Sequence, residues 1–134
     1  RYSLAAARWL GEAGKLLTVD IEPKVVERVR DRAQAEGITN LDARVANVYA
    51  LPFEEGSFDA VYMITVIGEI PEPVRAMGEF YRVLKPSGTL AFSELFFDPD
   101  YPFAQTLIRQ AAQAGFRVKR QTGGLLAYTL VLEK

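Results

Sequence analysis

A chain of 134 residues, 49% of them apolar and 25% charged, is long enough to bury one core, and a net charge of −1 makes no electrostatic case for nucleic acid or an anionic membrane. It has neither cysteine nor histidine, which excludes disulfides, thiol nucleophiles, Ser-His-Asp and Cys-His triads, and metals held by those two residue types. The longest apolar run, Ala60 to Ile67, falls far short of the ~20 residues of a membrane helix, so no membrane insertion is expected.

The first ten residues predict a short helix, with Leu4, Ala7, Trp9 and Leu10 as its apolar face and Gly11 and Gly14 as its stop. Leu16 to Ile21 is a brief apolar, β-branched run and predicts a buried strand. Pro23 suits the first position of the next helix, where Val25, Val26, Val29 and Ala33 recur at helical spacing before the capping Gly37. The basic residues of that segment, Lys24, Arg28, Arg30 and Arg32, fit a solvated helix face. Leu41 to Val45 predicts a second strand, followed by a long turn from Ala46 to Ser57. Ala60 to Thr65 predicts a third strand, apolar enough to be covered on both faces.

A helix over Glu72 to Leu84 follows, with Val74, Met77, Tyr81 and Leu84 as its stripe, then a turn at Lys85 to Gly88 and a fourth strand from Thr89 to Glu94. After a loop with Pro99 and Pro102, residues Phe103, Leu107, Ile108 and Ala111 mark a last helix closed by Gly115. Phe116 to Gln121 and Leu125 to Leu132 are two strands joined through Gly123 and Gly124. Alternating strands and helices mean right-handed crossovers and a Rossmann-like, doubly wound, mostly parallel α/β sheet in a single domain, residues 1–134. Two glycines cannot carry a crossover, so the last strand runs antiparallel.

Several segments together resemble one family. These are Thr18-Val19-Asp20-Ile21-Glu22-Pro23, Ala50 to Val61, Ile67-Gly68-Glu69-Ile70-Pro71-Glu72-Pro73, Tyr81 to Leu90, and Ala114-Gly115-Phe116 with its two glycine-hinged strands. In this order and spacing they resemble the class I S-adenosylmethionine-dependent methyltransferases, closest to the small-molecule branch of quinone biosynthesis. The resemblance implies a seven-stranded sheet with the last strand antiparallel, S-adenosylmethionine as cofactor, and methyl transfer to a small-molecule acceptor by in-line displacement at the sulfonium methyl. A cytoplasmic location goes with it, and a homodimer is compatible with it. A doubly wound sheet places its first strand centrally, ahead of a glycine-rich turn and the first helix. This chain opens on that helix, so the first strand and its turn are expected upstream of Arg1.

The resemblance also assigns residues. Asp20, at the carboxyl end of a strand, would take both ribose hydroxyls, although an acid there also suits a helix N-cap. Ile21 would pack on the adenine face or simply serve the core. Asn47 stands where the family carries Asp against the adenine amine, and its amide oxygen can accept the same hydrogen bond. Val48 would offer its N–H to a ring nitrogen, and Thr65 and Val66 would lie beside the sulfonium. Asp59 reads as structural. No metal is required, and a base is needed only if the acceptor must lose a proton. Glu69 and Glu94 are the catalytic candidates for that step, with Phe96, Phe97, Tyr2 and Tyr101 as candidate pocket walls. Two other readings fit: a nicotinamide-dependent oxidoreductase, whose fold also puts an acid after the second strand, and a non-catalytic domain that keeps the fold alone.

Overall fold

A computed structural model describes residues 2–134 and divides the chain into two compact units, Arg1–Ala50 and Leu51–Lys134. The predicted helix start at Arg1 lies outside the described residues.

In the first unit, helix α1 (Tyr2–Leu10) buries Leu4 and Ala7. Strands β1 (Leu16–Asp20) and β2 (Leu41–Val45) pair in parallel, from Leu16 opposite Leu41 to Asp20 opposite Val45. They are joined through helix α2 (Pro23–Ala35), which has Pro23 in its first turn and buries Val26 and Ala33. Gly37 takes φ +68°, and the Ile38 N–H returns to the Ala33 carbonyl, a left-handed cap that closes the helix. Asn40 performs a second closure. Its amide Nδ2 donates to the carbonyls of Ala7 and Gly11, both at 2.8 Å, and of Gly14 at 3.2 Å. The orphan carbonyls at the end of α1 therefore have a partner.

The second unit is a four-stranded sheet of order β3-β4-β6-β5. Its strands are β3 (Phe58–Ile64), β4 (Leu84–Leu95), β5 (Arg117–Gly123) and β6 (Ala127–Glu133). β3 and β4 are parallel, whereas β6 is antiparallel to both β4 and β5, so the expected reversal of the last strand is present. Helices α3 (Pro73–Val83) and α4 (Ala104–Gln113) supply Ala76, Met77, Phe80, Val83, Leu107 and Ala111 to the core, opposite Leu90 and Phe92 of β4 and Leu130 and Leu132 of β6. No helix among the described residues is long and apolar enough to cross a membrane.

Four local expectations change. β3 is half-buried, with Tyr62 39% exposed, and stands at one end of the four-stranded order. The buried stripe of α3 is Ala76, Met77, Phe80 and Val83, which is rotated from the expected set; Tyr81 instead packs edge-on against Phe116. Residues 85–88 stay within β4, where Ser87 takes φ +61° and the pairing with β3 jumps from Phe58–Leu84 to Ala60–Thr89. The predicted turn is thus absorbed as an irregularity of the strand. Finally, β5 runs on to Gly123, past the expected end at Gln121.

The turn after residue 50 is fixed by one arginine. Arg82 donates to the carbonyls of Phe53 (2.7 Å) and Leu51 (3.0 Å), while Glu79, bonded to Arg82 at 2.8 Å, accepts the Leu51 N–H at 2.7 Å. The Arg82 hydrogen bond holds the Glu79 carboxyl below its usual range. Asp59 pairs with Lys85 at 3.0 Å, consistent with a structural part at the entrance of β3. The seven residues of β5 are all exposed, among them Arg117, Lys119 and Arg120, and such charges keep an edge strand from pairing with another chain.

The tight connection yields a paired prediction. Gly123 takes φ +93°, and a Cβ there would stand 2.3 Å from the Ala127 carbonyl oxygen, whereas a Cβ on Gly124 would meet nothing within 4 Å. Gly123→Ala is expected to lower unfolding free energy by about 1–3 kcal/mol. Gly124→Ala is expected to stay within about 0.5 kcal/mol. Urea denaturation of both variants measures the difference.

Candidate functional site

In the first unit the carboxyl ends of two parallel strands lie side by side, the edge at which open α/β sheets take ligands. Asp20 closes β1 opposite Val45, and the Ala46 N–H donates to the Asp20 carbonyl at 3.0 Å. Asp20 Oδ1 accepts the Glu22 N–H at 2.9 Å. This is a turn within the segment, and it leaves the second carboxylate oxygen without a protein hydrogen bond among the described residues. Ile21 is 67% exposed, an apolar side chain presented next to an acid and not buried as core. Beyond β2, Asn47 Oδ1 accepts the Tyr49 N–H at 2.9 Å, and Asn47 and Ala50 form an isolated bridge. Val48 lies between them and is half-buried. The unit therefore brings Asp20, Ile21, Asn47 and Val48 to one edge. The N-cap alternative for Asp20 is excluded, since the cap position of α2 belongs to Glu22 and carries no side-chain cap bond.

The second unit sets Thr65 and Glu94 at adjoining strand ends. Ile64 pairs with Ser93, and the Thr65 N–H donates to the Ser93 carbonyl at 2.9 Å. Thr65 takes φ +51°, a left-handed conformation costly for a β-branched residue and concentrated at functional positions. Glu69 belongs to a single 3-10 turn (Ile67–Glu69) and is exposed, while Ile67 is buried. The turn lies so close to the following loop that a Cβ on Gly68 would fall 2.0 Å from the Asp100 carbonyl oxygen.

Glu94 has a different environment. It is 2% exposed, and its Oε1 has no hydrogen-bond partner. It faces inward with Leu90 and Phe92 and lies opposite Tyr128 on β6. The segment from 96 to 103 folds over this end of the sheet. Its Tyr101 ring meets Phe96, Phe103 and Tyr128 edge-on at centroid distances of 5.5, 5.7 and 5.7 Å. Burial first, and the Asp98 carboxylate second, push the Glu94 carboxyl up to about 7. Burial likewise raises both Tyr101 and Tyr128, with Glu94 adding to each. A shallow depression at this end is lined by residues that include Ser93, Glu94, Leu95, Thr122 and Thr129. Phe97 is 91% exposed, and Tyr2 is also exposed. Among the described residues no group of three or more acidic side chains is placed to hold a metal ion.

The sequence did not single out Tyr128, and it gave no sign that Glu94 would be buried or Thr65 left-handed. The one available signal was the alternation Leu90, Phe92, Glu94, which continues an apolar period of two into a carboxylate.

Residues 3–92 match the family described as "Methyltransferase domain". The chain is 33% identical over 102 residues to a ubiquinone/menaquinone biosynthesis C-methyltransferase of Haemophilus ducreyi, covering 73% of this chain and 39% of that protein. It is 29% identical over 122 residues to the corresponding protein of Escherichia fergusonii, covering 90% and 47%. The chain thus spans less than half the length of these curated relatives. Among solved structures, a SAM-dependent methyltransferase from Aquifex aeolicus superposes with a TM-score of 0.89 at 20% identity, covering 96% of this chain and 73% of that one. The [4+2]-cyclase SpnF superposes at 0.84 with 19% identity, covering 96% and 69%. At these identities the likeness carries the fold.

The buried carboxyl makes stability depend on pH in a stated direction. A carboxyl whose folded value is raised from about 4.5 to about 7 binds its proton more tightly in the folded chain. Its stabilising protonated form is therefore fully present below about 4.5 and lost as pH climbs through 7. Between pH 5 and pH 8 the chain is expected to lose about 2 kcal/mol relative to Glu94→Gln, on the scale of 1.36 kcal/mol per unit. Urea unfolding of both proteins at the two pH values measures this.

Proposed function

The chain belongs to the methyltransferase-domain family, and we propose that it is a class I, S-adenosylmethionine-dependent member of the quinone-biosynthesis type that transfers a methyl group from S-adenosylmethionine to a small-molecule acceptor. The observation that carries this reading is the edge built by β1 and β2: an acid with an oxygen to spare, next to an exposed isoleucine, at the carboxyl end of a parallel pair.

These residues fit the adenosine part of the cofactor. The Asp20 carboxylate accepts hydrogen bonds from the vicinal ribose hydroxyls, and the bond it already receives from Glu22 fixes its direction. Ile21 offers an apolar surface to one face of the adenine ring. Asn47 serves the exocyclic amine and the Val48 N–H a ring nitrogen, each beside a turn already closed by its own hydrogen bond. Thr65, held left-handed at the end of β3, is the cofactor-contact candidate of the second unit. When bound, the cofactor supplies a methyl group already activated for attack. The chain's own part is positioning and exclusion of water, which in well-oriented systems is worth roughly 7–11 kcal/mol.

Where the acceptor must lose a proton, Glu94 is the stronger candidate. Its carboxyl, pushed up to about 7, is matched to proton transfer near neutral pH, and its unpartnered oxygen has acceptor capacity to spare. Glu69 is exposed and stands as the alternative base.

The nucleoside assignment is tested by calorimetric titration with S-adenosylhomocysteine. Asp20→Ala removes hydrogen bonds to a charged group, of which one alone is worth about 1.5–3 kcal/mol, so affinity is expected to fall at least tenfold. Equal affinity for the two proteins would remove Asp20 from the site, and tighter binding of NADH than of S-adenosylhomocysteine would favour the oxidoreductase. For the base, kcat measured against pH across small phenols, quinols and amines should lose its acidic limb in Glu94→Gln and keep it in Glu69→Gln. An unchanged profile in both variants would mean that neither acid takes the proton.

A further inference from the structure

The buried end of β4 contains a mismatch in hydrogen bonding. Glu94 Oε1 is sealed from water without a partner, yet two phenols lie at hand and both are engaged elsewhere. The Tyr128 hydroxyl donates to the Pro102 carbonyl at 2.6 Å, and the Tyr101 hydroxyl donates to the Leu125 carbonyl at 2.6 Å. Both acceptors matter for the same stretch of chain. Pro102 lies within segment 96–103, and Leu125 lies in the β5–β6 connection, which also receives the Phe96 N–H on the Leu126 carbonyl at 2.9 Å. Between these ties the segment is held by its own turn: the Asp100 N–H donates to Asp98 Oδ1 at 3.1 Å, and the Tyr101 N–H to the Asp98 carbonyl at 3.1 Å.

We propose that segment 96–103 is a strap closed over Glu94 by the Tyr128–Pro102 and Tyr101–Leu125 hydrogen bonds, and that ionisation of Glu94 draws the Tyr128 hydroxyl hydrogen to itself and releases the Pro102 end of the strap. The exchange balances. Glu94 gives a proton to water and becomes a carboxylate; Tyr128 keeps its hydrogen and turns it from the Pro102 carbonyl to Glu94; Pro102 regains a solvent partner as the strap lifts. A neutral carboxylic acid tolerates this enclosure, whereas a carboxylate without a donor does not. Tyr128 is the facing donor: it lies directly across from Glu94 on the neighbouring strand, where opposite residues on one face hold their Cβ atoms about 4.5–5.5 Å apart, and its ring has to shift toward the carboxylate to deliver the hydrogen.

The groups around Glu94 support the direction. From the strap come Asp98, whose negative charge opposes ionisation, and Tyr101; from β6 comes Tyr128. The ionisable residues of α3 are committed away from it: Glu79 and Arg82 bind the 51–53 turn, Arg75 pairs with Glu72, and Tyr81 packs against Phe116. On α4 the one ionisable residue, Arg109, is exposed, and the core face is Leu107 and Ala111. Glu69, on the 3-10 turn beside the strap, is exposed as well. No cation faces Glu94 among these elements, so the phenol is the hydrogen-bond donor left to the carboxylate. The consequence for function rests on the base assignment above: the proton that keeps the strap shut is the one Glu94 must lose to accept another, so closed strap and competent base exclude each other.

Amide hydrogen exchange on the full 134-residue chain, without any methyl donor, tests the strap separately from methyl transfer. The amides of Phe97, Asp98, Asp100, Tyr101 and Phe103 are followed from pH 5.5 to 8.5, corrected for intrinsic rates and referenced to the β6 amides. In the wild type, protection of the strap should fall at least tenfold across pH 6 to 8 while β6 stays protected. Glu94→Gln should keep the strap protected throughout, and Tyr128→Phe should leave it exchanging at every pH. A flat wild-type profile, the same fall in Glu94→Gln, or a fully protected Tyr128→Phe strap would each overturn the proposal.

Discussion

The two-residue period of β4 is the constraint on which the second unit depends. Leu90 and Phe92 must face the helices for the core to exist, and the strand carries that alternation two residues further to Glu94. β4 is bonded along one side to β3 and along the other to β6, so its register cannot slip by one residue without exposing Leu90 and Phe92 together with releasing Glu94. A carboxyl is therefore held in the core by its neighbours' hydrophobicity. The ring cluster, the tyrosine hydroxyls and the raised proton affinity are all consequences of that placement.

Much of the fold was legible because its signals are local. Pro23 and Gly37 bracket α2, the apolar run at Leu16 marks β1, and two adjacent glycines leave no room for a crossover before the last strand. The misreadings came where tertiary context overrides local pattern. The stripe of α3 is ambiguous because Phe80, Tyr81, Val83 and Leu84 are all apolar enough, and the sheet, not the helix, selects Phe80 and Val83. Lys85-Pro86-Ser87-Gly88 carries every mark of a turn, yet the pairing with β3 resumes beyond it. The strand β3 reads as doubly covered from composition alone, but burial depends on which neighbours it has, and sequence does not state that.

The site divides in the same way. Asp20, Ile21, Asn47 and Val48 were legible because a parallel strand's carboxyl end is a fixed place, and a resemblance in order and spacing locates it. Their geometry adds that Asp20 accepts the Glu22 N–H and that Ile21 is exposed, which argues against a helix cap and a core residue at these two positions. Fold alone would not do this. The same architecture superposes on a methyltransferase from Aquifex aeolicus and on a [4+2]-cyclase, so the reaction has to be argued from particular side chains.

Ser93 and Glu94, adjacent on β4, show how differently a sheet can treat polar groups. Ser93 points to the other face and bonds Thr129 across the strands at 2.9 Å, so its hydroxyl is satisfied whether or not anything binds there. Glu94 has no such partner and stays in place at the expense of stability, since an apolar side chain of similar size would fill the same space without an orphaned oxygen. The distinction bears on mechanism. A satisfied pair is fixed structure, whereas an unsatisfied acid beside engaged phenols has its proton affinity raised by its burial. A fold that holds a carboxyl close to neutrality has, in that single side chain, the proton affinity that a chain without histidine would otherwise lack.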